Sequence, residues 1–112
     1  VRRRGIKNYV LAADGKTPIE EPDTLKWAWW FEHADRVVRQ DRVGDYTIST
    51  VFLGIDHNWW GGKPILWETM TFGGCGISLA SEDIMQRRYR SYEDALAGHM
   101  KVLEGVKMAV KS

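Results

Sequence analysis

The stretch YTISTVFLGIDHNWWGGKPILWETMTF, residues 46–72, decides the fold. Its first ten residues are rich in β-branched and aromatic side chains and alternate. Tyr46, Ile48, Thr50 and Phe52 fall on one face of an extended chain, and Thr47, Ser49, Val51, Leu53 and Ile55 on the other. Both faces carry apolar members, which predicts a central strand. Residues 65–72 alternate likewise, with Leu66, Glu68, Met70 and Phe72 on one face and Trp67 opposite. Two such runs in succession predict an antiparallel hairpin, and a hairpin needs further elements to cover it.

The flanking sequence supplies them. Ser91-Tyr92-Glu93-Asp94 has a capping serine with an acidic residue three positions on. Tyr92, Ala95, Leu96, His99, Leu103, Val106 and Val110 then form one helical stripe, with Lys101, Lys107 and Lys111 on the outer face. Before the hairpin, Pro22-Asp23-Thr24 suits a helix start. A helix is predicted over residues 24–36, burying Trp27, Trp30, Phe31, Ala34 and Val38 at spacings of three and four. Trp29 lies off that stripe beside Leu25 and Ala28, so the helix is either wrapped on two sides or shows a ring outward, and core packing is the use expected of it. Asn8 to Ala13 reads as a strand, Asp14-Gly15 as a turn and Thr17-Pro18-Ile19 as a second short strand. Gly73-Gly74-Cys75-Gly76 opens a loop running to about Arg90. The fold class expected is α+β: a small antiparallel sheet of three to five strands packed against two α-helices, one domain over residues 1–112.

Composition narrows function mainly by exclusion. Hydrophobic residues make up 44% and charged residues 28%, enough to bury a core and too apolar for a disordered chain. No apolar run approaches a membrane span, and the first thirty residues lack a positive-then-apolar leader pattern. A soluble cytoplasmic protein without a membrane partner is expected. Cys75, the only cysteine, excludes an internal disulfide and a multi-cysteine zinc site. Sixteen Lys and Arg against fifteen Asp and Glu give a net charge of +1, so any attraction to a polyanion must be local. Two basic clusters stand out, Arg2-Arg3-Arg4 and Arg87, Arg88 and Arg90 around Tyr89. The second is a candidate phosphate contact against the plainer reading of solvated surface.

The segment with most chemical content is Asp56-His57-Asn58-Trp59-Trp60-Gly61-Gly62-Lys63. It is long for a hairpin connection, and long ordered loops tend to be functional. Adjacent tryptophans in a turn rarely both bury, and an exposed tryptophan is the residue most enriched in binding hot spots. Asp56, His57, Asn58, Trp59, Trp60 and Lys63 are therefore the candidate partner-binding residues. The competing reading has Asp56 and Asn58 bonding their own turn and a tryptophan folding back over the sheet. Glu68, flanked by Leu66 and Met70, needs water or a partner. His57, a loop N–H or an arginine of the 87–90 cluster would make it a loop organiser.

Catalysis finds less support. Asp56, His57 and Glu68 allow a metal-assisted enzyme, yet adjacent residues in extended chain point to opposite faces and give a poor ligand set. His33 and His99 read as satisfied helix histidines. Nothing in the spacing links Cys75, Ser78 or Ser81 to a base, and the glycine run at 73–76 lacks the lysine of a phosphate loop. No catalytic residue, metal or cofactor is assigned.

Ser49-Thr50-Val51-Phe52-Leu53-Gly54-Ile55-Asp56-His57-Asn58, continued by Trp67-Glu68-Thr69-Met70 and Phe72-Gly73-Gly74, resembles a family of small proteins coded by tailed bacteriophages and prophages. Trp27–Glu32 and Arg88-Tyr89-Arg90-Ser91 are similar too. The resemblance implies a phage or prophage origin and a role in the infected bacterial cell, and it brings no activity and no catalytic residues. The first expectation is a non-catalytic accessory binding module for a host or phage macromolecule, a protein before a nucleic acid, inhibition of host defence being one form of that role. The alternatives are a nucleic-acid binder using the arginines with exposed aromatics, and the metal-assisted enzyme.

Overall fold

The computed structural model describes residues 6–58, 60–73 and 86–111. Along the chain run β1 (Tyr9–Leu11), β2 (Pro18–Glu20), α1 (Thr24–His33), β3 (Val37–Val43), β4 (Tyr46–Phe52), β5 (Trp67–Gly73), β6 (Gln86–Tyr89) and α2 (Tyr92–Lys111). The α+β expectation holds: β3-β4-β5-β6 form an antiparallel meander, β1 and β2 a separate two-stranded pair, and α2 lies across all four strands of the larger sheet. β4 is central and pairs β5 in the register Tyr46↔Gly73 to Phe52↔Trp67. Among the described residues no helix is long and apolar enough to cross a membrane.

Local chemistry sets the element ends. Asp14 Oδ1 accepts from Lys16 N and Thr17 N, closing the β1–β2 turn. Asp23 Oδ1 accepts from Leu25 N and Lys26 N and caps α1. Ser91 Oγ accepts from Asp94 N and caps α2. Two elements depart from expectation. α1 stops at His33, and Val38, expected on its stripe, belongs to β3. Paired valines favour extended backbone, and Asp35 Oδ1 accepts from Val37 N at the changeover. Residues 86–89, expected in a loop, form β6, an edge strand whose charged side chains tolerate solvent. α1 has no fully buried residue, and Trp29 faces outward at 65% exposure, stacked on His33, against the core packing expected of it.

The face of the sheet beneath α2 carries Tyr46, Ile48, Thr50 and Phe52 from β4 and Trp67, Thr69 and Thr71 from β5, all buried. Glu68, Met70 and Phe72 lie on the opposite face, away from α2. Two apolar clusters fill the interface. One joins Phe52, Leu66, Trp67, Tyr89 and Ala95, with Trp30 edge-on to Phe52; the other joins Tyr46, Ile48, Val102, Leu103 and Val106. Between them, along both β4 and α2, runs a polar layer. His99, fully buried, has Nδ1 2.7 Å from Thr50 Oγ1 and Nε2 2.7 Å from Asp41 Oδ2. Thr50 and Thr69, directly opposite in the register, are hydrogen-bonded, and Tyr89 Oη donates to Thr69 Oγ1 at 3.0 Å. Arg39 Nε donates to Asp41 Oδ2 at 2.7 Å. The layer thus ties α2 to all four strands.

Two expectations follow for stability. A Cβ at Gly98 would overlap the ring and hydroxyl of Tyr89. Gly98→Ala should therefore cost about 1–3 kcal/mol through overpacking, although alanine is the better helix former. An unchanged urea midpoint would show that Tyr89 can leave its seat freely. Hydrogen bonds from Arg39 and His99 hold the Asp41 carboxyl below its ordinary pKa of 3.8. That stabilisation is complete above the ordinary aspartate value and is lost as the pH falls below it. Between about pH 4 and pH 2 the wild-type urea midpoint should fall more steeply than that of Asp41→Asn; parallel acid profiles would refute the assignment.

Candidate functional site

The described residues of the connection from β4 to β5 are tied together by a dense set of hydrogen bonds that make a platform. Leu53 N donates to Leu66 O at 2.6 Å and His57 N to Ile65 O at 3.0 Å, which extends the strand pairing into the loop base. Asp56 is buried, and its Oδ1 accepts from Asn58 N at 2.8 Å and Ile65 N at 3.0 Å. Asn58, buried as well, donates through Nδ2 to Gly61 O and to Lys63 O, and its Oδ1 accepts from Trp60 N at 3.2 Å. Gly61 at φ 89° and Gly62 at φ 82° turn the chain through the left-handed region that other residues avoid. The base of the platform is held from the other side, where Asp56 N donates to Lys7 O and Tyr9 N to Gly54 O.

At the tip of this platform the Trp60 side chain is 95% exposed. A ring of that size left in water while the backbone beneath it is fixed at several points is pre-organised for a contact. Trp59 lies outside the described residues, as do Cys75, Ser78 and Ser81 and the Arg2–Arg4 cluster. Lys63 is exposed and His57 half-buried beside the tip. Asp56 and Asn58, grouped with them as partner-binding residues, sit beneath the surface and hold the loop in shape, so the competing reading of these two is the one seen.

Glu68 was expected to organise the loop, and its contacts lie elsewhere. Its Oε2 accepts from Arg88 Nε at 2.9 Å and from Gln86 Nε2 at 2.7 Å, both on the neighbouring strand β6. The arginine partner is as anticipated, and the loop organisers are Asp56 and Asn58. The arginine cluster divides by strand alternation. Arg88 is neutralised by Glu68, the Arg87 guanidinium lies 5.9 Å from the centre of the Tyr89 ring, and Arg90 Nε donates to Lys63 O at 3.2 Å. That last bond fastens the end of β6 to the Trp60 loop.

No catalytic centre assembles from these groups. Asp56 and Glu68 have the partners given above, and among the described residues no three His, Cys, Asp or Glu converge as a metal requires. The polar layer has the hydroxyl–imidazole–carboxylate connectivity of an acyl-transfer triad in Thr50, His99 and Asp41. Thr50 is fully buried, however, and an acyl group cannot reach its Oγ1. His33, stacked on Trp29, donates from Nδ1 to Trp29 O at 2.7 Å and serves its own helix.

No protein-family model, no curated protein and no solved structure matches the chain. The loop geometry therefore carries the functional argument. Asn58→Ala removes two donations to loop carbonyls and one acceptor, and it should destabilise the fold by about 1–3 kcal/mol. Amide exchange over residues 58–63 should accelerate while exchange in β4 stays slow. Unchanged loop exchange in the variant would show that the glycines alone set the conformation.

Proposed function

We propose that this protein is a non-catalytic binding module that engages a partner macromolecule through the Trp60 loop, in keeping with the accessory role in a phage-infected cell that the resemblance implies. One observation carries the reading: Trp60 is 95% exposed on a loop fixed by Asp56 and Asn58. Ordinarily a surface loop closes with small polar residues, and an exposed indole serves no purpose in the fold's own core. Because the platform is ordered in advance, binding loses little conformational entropy there. The enzyme alternative has no comparable observation behind it.

Trp60→Ala tests the reading. The substitution removes little buried area, so the thermal midpoint should stay nearly unchanged, within the roughly ±0.5 kcal/mol usual for surface positions. Capture of partners from bacterial lysate should drop about thirtyfold or more, since a tryptophan anchor is worth about 2 kcal/mol or more. A variant that unfolds would make Trp60 a structural lid, and a variant that captures the same partners undiminished would move the contact off this loop.

A further inference from the structure

Two hollows on the α2 side of β6 meet at Arg90. One, of about 280 Å³, lies between β6 and α2 and is lined by Arg87, Arg90 and Lys101. The other, of about 270 Å³, opens where α2 begins and is lined by Lys16, Lys63 and Arg90. Five cations thus come from the β1–β2 turn, the Trp60 loop, β6 with the residue after it, and α2, in a chain whose net charge is only +1. Folding concentrates them along one run of surface. The acids on the same run are Asp14, Glu93 and Asp94. Asp14 gives its oxygens to Lys16 N, Thr17 N and Thr17 Oγ1, and the other two occupy the first turn of α2, where the helix dipole favours negative charge. Neither arrangement pairs an acid directly with a cationic side chain: the Lys16 ammonium feels Asp14 only at a distance and lies 5.2 Å from the centre of the Tyr92 ring. Arg90 uses Nε on the Lys63 carbonyl, which leaves its terminal nitrogens as a fork of the shape a phosphate accepts.

Trp60 stands three residues from Lys63, so the backbone that carries the ring lies within about 11 Å of that cation. We propose that this run takes the phosphodiester backbone of a single-stranded nucleic acid while Trp60 stacks on an unpaired base. The inference rests on the loop reading above and gives that module its partner class. A single strand offers a charge for each cation and a flat face for the ring together. A duplex keeps its bases stacked away from Trp60, and an acidic peptide satisfies the cations but leaves the indole uncovered.

The test is fluorescence anisotropy of a labelled oligothymidylate of about 12 nucleotides, titrated with the whole chain at several salt concentrations. Affinity should fall with salt at a log–log slope of about −0.7 per phosphate neutralised, about −3.5 if all five cations engage. Lys16→Ala with Lys101→Ala, both exposed and outside the Trp60 loop itself, should flatten that slope by about 1.4. Trp60→Ala should weaken binding roughly 5- to 150-fold at every salt concentration with the slope unchanged. Duplex DNA, polyglutamate and vesicles containing phosphatidylserine should compete weakly, and equal competition by any of them overturns the single-strand assignment. Absence of binding at about 20 mM salt also overturns it; if lysate capture still depends on Trp60, the binding-module reading stands. Oligonucleotide binding undiminished in Trp60→Ala overturns the stacking assignment, and lysate capture undiminished in the same variant overturns the loop reading as well.

Discussion

The buried imidazole of His99 is the constraint on which the rest of the fold depends. In the interface between α2 and the sheet it needs a partner at each ring nitrogen, and a buried polar group left unpaired costs about 1–3 kcal/mol. Thr50 and Asp41 meet that need from β4 and β3, while Thr69 and Tyr89 continue the chain of hydrogen bonds into β5 and β6. Sliding α2 by a turn would break the bonds to both nitrogens, so the polar layer fixes the helix over the sheet where the flanking apolar clusters alone would tolerate shifts. The same layer sets the edge strand. Tyr89 is held from below by Thr69 and from above by the missing side chain of Gly98, and this seating brings the arginines of β6 alongside Lys101.

The Trp60 loop and the cationic run are positioned by separate means that meet at Lys63. Its carbonyl accepts from Asn58 inside the loop and from Arg90 beyond β6. A movement of the loop therefore disturbs Arg90, and a ligand holding Arg90 restrains the loop. Coupling of that kind requires only two hydrogen bonds to one oxygen, and it places aromatic and ionic contacts under the same backbone control.

Much of the architecture could be read in the sequence because single elements carried it. The alternation of residues 46–52, the stripe of α2 and the caps at Asp23 and Ser91 each depend on neighbours a few positions apart. β3 was hidden because Val38 falls seven positions after Phe31 and mimics a helical stripe, and because Arg39-Gln40-Asp41-Arg42 is an unbroken polar run without the apolar alternation of a strand, although the paired valines favoured extended chain. β6 was hidden because three arginines in a short run resemble solvated loop. The polar layer joins residues up to 58 positions apart, from Asp41 to His99, and no local spacing announces such a contact. A histidine on an apolar stripe facing threonines on an apolar strand face was its one trace. Within the site, the exposed tryptophan followed from residue chemistry, whereas Asp56 and Asn58, assigned to partner binding, proved to be turn-formers, the role that stood only as the competing reading. The convergence of Lys16, Lys63 and Lys101 did not, because the turn, loop and helix that bear them meet only after folding.

The attachment of α1 has a dynamic consequence. The Trp27 indole N–H is shared between Tyr9 O at 3.1 Å and Gly54 O at 3.0 Å, and Gly54, at φ 77°, leaves just enough room beside Phe31 and Trp27. Helix α1 buries no residue fully and reaches the larger sheet chiefly through this donor, the Trp30 ring on Phe52, and Arg36, whose Nη1 donates to Phe52 O. Tyr9 of β1, in contrast, is buried in the cluster with Phe52 and Trp67, and its N–H donates to Gly54 O, so the hairpin is joined to the meander and α1 alone is the shallow element, able to open while the α2-covered sheet stands. In such a hierarchy the amides of β4 and β5 report global unfolding, and those of α1 report a shallower opening with its own, smaller free energy.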